Sequence, residues 1–135
     1  KSTQDDLKNM ETGLFGFKGK VHFQTAPCLN EKLKQLDSSL PKCELFTQIS
    51  TVIDKEIYRN YKLYPGNYVA HDLLSGENKF ADQYTTEEKN RFEEYIANQL
   101  EKIDLPNKDI PYLKEKLLIM YANPLINSLV ANQCD

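Results

Sequence analysis

The stretch Cys43-Glu44-Leu45-Phe46-Thr47-Gln48-Ile49-Ser50-Thr51-Val52-Ile53-Asp54-Lys55-Glu56-Ile57-Tyr58-Arg59-Asn60-Tyr61-Lys62-Leu63 decides the fold class. Its apolar residues Leu45, Ile49, Val52, Ile53, Ile57 and Tyr61 recur at steps of three and four, which places them on one face of an α-helix. Asp54, Lys55, Arg59 and Lys62 fall largely on the other face, and Pro65-Gly66 ends the run. A helix with one apolar face must bury it against further elements, so the flanking sequence is read for its partners.

Downstream, Asn67 to Leu74 reads as a short second helix, with Tyr68, Val69 and Leu73 apolar, followed by a turn at residues 75–78. Thr85-Thr86-Glu87-Glu88 is a capping box, with Thr85 as cap and Glu88 three residues on. The helix it opens is predicted to run to about Ile103, with Phe92, Tyr95, Ile96, Leu100 and Ile103 on one side. Its early glutamates suit the helix dipole and read as a solvated face. Pro106 breaks the chain, Asp109 caps another helix with Pro111 in its first turn, and Asn123-Pro124 is expected to break or kink it. Leu125, Ile126, Leu129 and Val130 then form a last short helix.

Upstream, residues 28–40 suit a short helix capped by Asn30, and residues 1–12 a frayed helix or arm. Lys20-Val21-His22-Phe23-Gln24-Thr25 alternates polar and apolar, the period of a half-buried strand. Gly13, Gly16 and Gly19 precede it; without an upstream strand and a following helix they read as turns rather than a phosphate loop. A lone strand cannot satisfy its backbone groups. It needs an absent partner, a hairpin made with residues 14–17, or another copy of the chain. The expected fold is therefore mainly α: a bundle of about four helices plus one short N-terminal strand or hairpin.

The chain has 135 residues, the size of one domain, with 40% apolar and 27% charged residues. A net charge of -3 argues against general nucleic-acid binding. No apolar run approaches the roughly 18 residues of a membrane span. The chain starts at Lys1 with no secretory leader pattern, which reads as a processed product or a piece of a longer protein.

Cys28, Cys43 and Cys134 are widely spaced, with no C-x-x-C pair, and read as reduced thiols of a cytosolic protein; a Cys28–Cys43 disulfide is not required. Histidine is limited to His22 and His71. His71-Asp72 superficially resembles the dyad of metal-dependent phosphohydrolases, but the further ligands such chemistry needs are missing. There is no Gly-x-Ser-x-Gly elbow and no Walker loop. No sequence context pairs a Cys with a His. No catalytic, cofactor or metal residue is assigned.

Two stretches carry a resemblance. One is Asp5-Asp6-Leu7 with Met10-Glu11-Thr12-Gly13-Leu14-Phe15-Gly16-Phe17-Lys18-Gly19-Lys20-Val21-His22-Phe23; the other runs from Ile53 to Asp72 through Tyr64-Pro65-Gly66-Asn67-Tyr68. Together they resemble the C-terminal third of Bacteroides-type glycerophospholipid acyltransferases of the lysophosphatidic-acid acyltransferase family, over most of the chain. Chemistry in that family uses a His-x4-Asp motif, the His as general base and the Asp orienting it, with a Glu-Gly-Thr-Arg motif for phosphate. Five positions after His22 stands Pro27, and five after His71 stands Gly76, so neither histidine carries the motif. The resemblance thus implies a C-terminal fragment of an α/β acyltransferase, inactive by itself.

On this reading residues 1–27 are the tail end of the catalytic domain, with 14–25 its orphaned last strand, and 28–135 are a C-terminal helical domain. The implied partners are the catalytic domain of the same chain and, through it, an acyl donor (acyl-CoA or acyl carrier protein) and a lysophospholipid. Lys55, Arg59, Lys62, Tyr61 and Tyr64 could meet anionic headgroups or a partner. The implied location is cytoplasmic, with peripheral contact on the inner face of the membrane, and the N-terminal strand could join two copies. Two other functions are set beside this one: a stand-alone helical interaction module, and a metal-dependent hydrolase using His71-Asp72.

Overall fold

A computed structural model of the chain describes residues 2–16 and 19–133. Among these residues there are six α-helices: α1 (Thr3–Phe15), α2 (Asn30–Lys34), α3 (Lys42–Asn60), α4 (Pro65–Ser75), α5 (Thr86–Glu101) and α6 (Ile110–Gln133). A single 3-10 turn, Ala81–Gln83, lies between α4 and α5. The fold is mainly helical, as the spacing predicts.

The core forms around α4. Val69 and Ala70 are completely enclosed, and α4 packs most extensively on α6, then on α5. Ala70 meets Ile96 and Leu100 of α5 and Leu118 and Ala122 of α6 in one cluster. Alanines at 70 and 122 keep the α4 and α6 backbones close, since interaxial distance is set by the side chains at the contact. Leu73, Leu74, Phe92, Leu113, Leu117 and Tyr121 pack around this cluster. Helix α3 joins through α6, where Leu125 and Ala131 are buried. Among the described helices the short α2 touches only α3.

Local chemistry sets the helix ends. Thr85 Oγ1 accepts from the Glu88 amide at 3.2 Å while the Glu88 carboxylate accepts from the Thr85 amide at 2.9 Å, the capping box read from the sequence. Ser2 and Asp5 form a second such box at the start of α1. Asp109 accepts from the Tyr112 amide and caps α6 as expected. Gly76 ends α4 in the left-handed region, φ 71°, with its amide bonded to Asp72 O. The Lys108 ammonium donates to the carbonyls of Leu100 and Ile103, satisfying the end of α5.

Three expectations are corrected. The expected strand over 14–25 does not form: Leu14 and Phe15 belong to α1, residues 20–25 adopt no regular secondary structure, and no strand exists among the described residues. Alternation predicts an extended backbone, and a ladder further requires a neighbour, which no described segment supplies. Phe17 and Lys18 of the expected hairpin lie outside the described residues. Asn123-Pro124 does not break the last helix; α6 runs through Pro124. Proline deletes only its own N–H bond to the carbonyl four residues back, and burial of Leu118, Ala122 and Leu125 holds the helix on both sides. The helix expected over 28–40 is only Asn30–Lys34, with Leu29 rather than Asn30 in the cap position.

Helix α1 contacts no other described helix. Its Leu7, Met10, Leu14 and Phe15 are all exposed, Leu14 at 72%. Cys28 and Cys43 are free and exposed thiols, without a disulfide between them; Cys134 lies outside the described residues. Among the described residues no helix is long and apolar enough to cross a membrane.

Candidate functional site

The extended segment before α2 runs alongside α3. Its alternate residues Lys20, His22, Gln24 and Ala26 line a cleft of about 450 Å³ whose other wall is α3, with Ile53, Glu56, Ile57 and Asn60. Val21 and Phe23, the intervening residues, lie exposed, Phe23 at 91%. Residues 20–27 are all exposed, and the period of two shows only in which of them line the cleft; no ladder forms.

Glu56 on the cleft floor is 6% exposed. It is bonded to the Lys32 ammonium from α2, and the Arg59 guanidinium lies 3.7 Å away on its own helix. Arg59 Nε also donates to Ala131 O of α6 at 3.1 Å. A buried carboxylate needs such compensation, and the arrangement ties α2, α3 and α6 together.

Tyr61 and Tyr64 are shared with a second groove of about 500 Å³. Its walls come from the start of α4 (Gly66 and Asn67), from α5 (Phe92 and Tyr95), and from α6 (Met120, Tyr121 and Pro124); Gly19 lies at its edge. The rings hold one another edge-on: Phe92 to Tyr121 at 5.3 Å and Tyr95 to Tyr121 at 5.9 Å between centroids. The Tyr95 and Tyr121 hydroxyls are 2.8 Å apart. Burial, then the Tyr95 hydroxyl, push the Tyr121 phenol well above its ordinary value. Asn67 anchors the groove floor: its Oδ1 accepts from the Tyr64 amide and its Nδ2 donates to Tyr121 O, each at 2.8 Å.

No protein-family model, curated protein or solved structure matches this chain.

The five residues proposed for headgroup or partner contact separate. Tyr61, Lys62 and Tyr64 stand together where the two grooves meet, with the Lys62 ammonium 5.8 Å from the Tyr64 ring centroid. Lys55 lies in a different recess with Asp54, Tyr58 and Val130. Arg59 is engaged by Glu56 and the α6 carbonyl. Sequence reasoning missed Lys20, His22, Tyr95 and Met120 as lining residues. Alternation puts Lys20 and His22 on one face and could have found them; Tyr95 and Met120 meet only through the α5–α6 packing and leave no local signal.

His71 and Asp72 do not open into any of these recesses. Asp72 is buried and accepts from the Phe80 amide at 3.0 Å and the Tyr84 hydroxyl at 2.9 Å. Burial and then this carboxylate hold the Tyr84 phenol above its ordinary value. His71 Nδ1 lies 3.4 Å from Asp72, and its ring meets Phe80 edge-on. The carboxylate is employed in pinning the 76–84 loop onto α4. Among the described residues no three His, Cys, Asp or Glu are placed to hold a metal.

Proposed function

We propose that this chain is a non-catalytic helical docking module, and that its partner is the catalytic domain of a lysophosphatidic-acid-type acyltransferase in one longer chain. The observation that carries the docking part is the outward apolar face of the N-terminal region. Leu7, Met10, Leu14 and Phe15 on α1, and Val21 and Phe23 beside the cleft, are all exposed, and α1 touches no other described helix. Six large apolar side chains on two segments close in sequence are thus left in water, which penalises them. In residues 20–26 alternate side chains already line the cleft, so this stretch is suited to add to a sheet edge. The identity of the partner rests on the resemblance of 5–23 and 53–72 to the acyltransferase tail. In this account the 19–25 segment closes the catalytic sheet, α1 packs on that domain, and α2–α6 hold the segment in place. The module works at the cytoplasmic membrane surface where the acceptor lysophospholipid lies, and donor and acceptor are handled by the partner domain.

The reading frame preceding Lys1 should encode a His-x4-Asp and a Glu-Gly-Thr-Arg motif, and the isolated 135-residue chain should not transfer acyl groups from acyl-CoA or acyl carrier protein to lysophosphatidic acid. Robust turnover by the isolated chain would remove the proposal.

A further inference from the structure

We propose that the tyrosine groove between α4, α5 and α6 binds a proline-rich segment in polyproline II conformation, flanked by acidic residues. This inference is independent of the acyltransferase reading, because it uses none of the apolar side chains of α1, nor Val21 or Phe23.

The lining chemistry is specific. The groove is walled by Tyr61, Tyr64, Phe92 and Tyr95, with Pro124 and Met120 beside them, and among the described residues no charged side chain lines it. A polyproline helix presents flat, apolar pyrrolidine rings that fit between aromatic side chains, and it carries backbone carbonyls without internal donors. The groove supplies both needs. The ring faces offer the slots. The Tyr95 and Tyr121 hydroxyls, 2.8 Å apart, use one hydrogen between them, which leaves one O–H to donate to a ligand carbonyl.

The groove is also prepared before binding. Asn67 bonds to both Tyr64 and the Tyr121 carbonyl, and the edge-on ring contacts fix Phe92, Tyr95 and Tyr121. A rigid ligand meeting a rigid site loses little conformational freedom. Charge decides the flanks. Lys62 and Lys20 line the neighbouring cleft; Lys20 lies in the field of the Glu88 carboxylate, Lys62 makes no ion pair among the described residues, and the cleft carboxylate Glu56 is occupied by Lys32 and Arg59. An acidic residue next to the prolines therefore meets the Lys62 ammonium, which stands beside the Tyr64 ring at the groove's end.

The chain contains two methionines, which gives the test its reporter. Met120 lines the groove and Met10 lies on the exposed face of α1. With ¹³C-methyl methionine labelling, the synthetic peptide Glu-Glu-Pro-Pro-Pro-Pro-Pro-Pro should shift the Met120 methyl resonance saturably and leave Met10 in place. Tyr95→Ala and Tyr61→Ala, each with unchanged circular dichroism, should weaken binding about tenfold or more. Lys62→Glu should weaken the Glu-flanked peptide and leave a Ser-flanked one unaffected. The inference is overturned if millimolar peptide leaves Met120 unmoved, or if a Gly-Ser peptide of equal charge shifts it equally. It is overturned as well if anionic phosphatidylglycerol vesicles move Met120 where the peptide does not.

Discussion

Asp72 holds the loop between α4 and α5 with one carboxylate, accepting from the Phe80 amide and the Tyr84 hydroxyl. Replacing it by alanine leaves two donors without an acceptor in a site that is 5% exposed. Asp72→Ala should therefore cost about 2–3 kcal/mol in urea unfolding, and Tyr84→Phe about 1 kcal/mol. If Asp72→Ala unfolds at the wild-type urea midpoint, Asp72 does not clamp this loop. A second contrast concerns glycine. A Cβ at Gly66 would stand 3.0 Å from the Phe92 ring, whereas one at Gly13 meets nothing within 4 Å. Gly66→Ala should cost about 1–3 kcal/mol by forcing the ring aside. Gly13→Ala should raise the helicity of α1, with a gain of at most about 1 kcal/mol. The two measured in parallel separate packing from backbone entropy. At this scale the sequence is a poor guide: His71-Asp72 attracts attention as a dyad, yet what occupies the Asp72 carboxylate is a loop amide and a tyrosine eight and twelve residues away, outside any local pattern.

The helices that the sequence shows best are those with both a cap and a period. Thr85 and Glu88 mark the start of α5, and the structure places it there. The Glu88 carboxyl is held below its ordinary value of 4.5, chiefly by the Thr85 amide and then by the Thr85 hydroxyl. A depressed folded value means that the box stabilises above the ordinary value and is lost as pH falls through the depressed one. Carboxyl NMR titration should show this, and Thr85→Ala should return the Glu88 midpoint upward; an unchanged midpoint would contradict the cap. The opposite sign applies to Tyr84 and Tyr121, whose phenols are raised. Their contribution is complete below about pH 10 and is lost as pH rises further, so alkaline unfolding should begin there and be delayed in Tyr121→Phe. Two elements were misread for physical reasons. Pro124 looks like a stop, but α6 is buried on both sides of it, so packing overrides the missing bond. Leu125→Ala, at a fully enclosed position, should cost about 2–5 kcal/mol and report on that packing directly. Residues 20–25 look like a strand; the alternation is genuine, but pairing is not a local property and could not be read from the segment itself.

The molecule as a whole has two unlike parts. One is a tight α4–α5–α6 core with its tyrosine groove, and the other is an N-terminal region whose apolar side chains face outward. Of the candidate site, the cluster of Tyr61, Lys62 and Tyr64 was legible, because a helix end and the turn after it keep near neighbours together. The remainder of the groove was not, since Phe92, Tyr95 and Met120 arrive from helices about thirty to sixty residues away in sequence and meet only in the folded chain. The exposed apolar side chains support the proposed docking, and the proposal that the partner is an acyltransferase catalytic domain rests on the resemblance of 5–23 and 53–72. The most direct measurement is acyl transfer to lysophosphatidic acid by the longer chain that includes the preceding reading frame, set beside the 135-residue chain alone. The account predicts turnover by the longer chain, its loss on Val21→Asp with Phe23→Asp, and none by the isolated module. Turnover by the isolated module, or none by the longer chain, would contradict it.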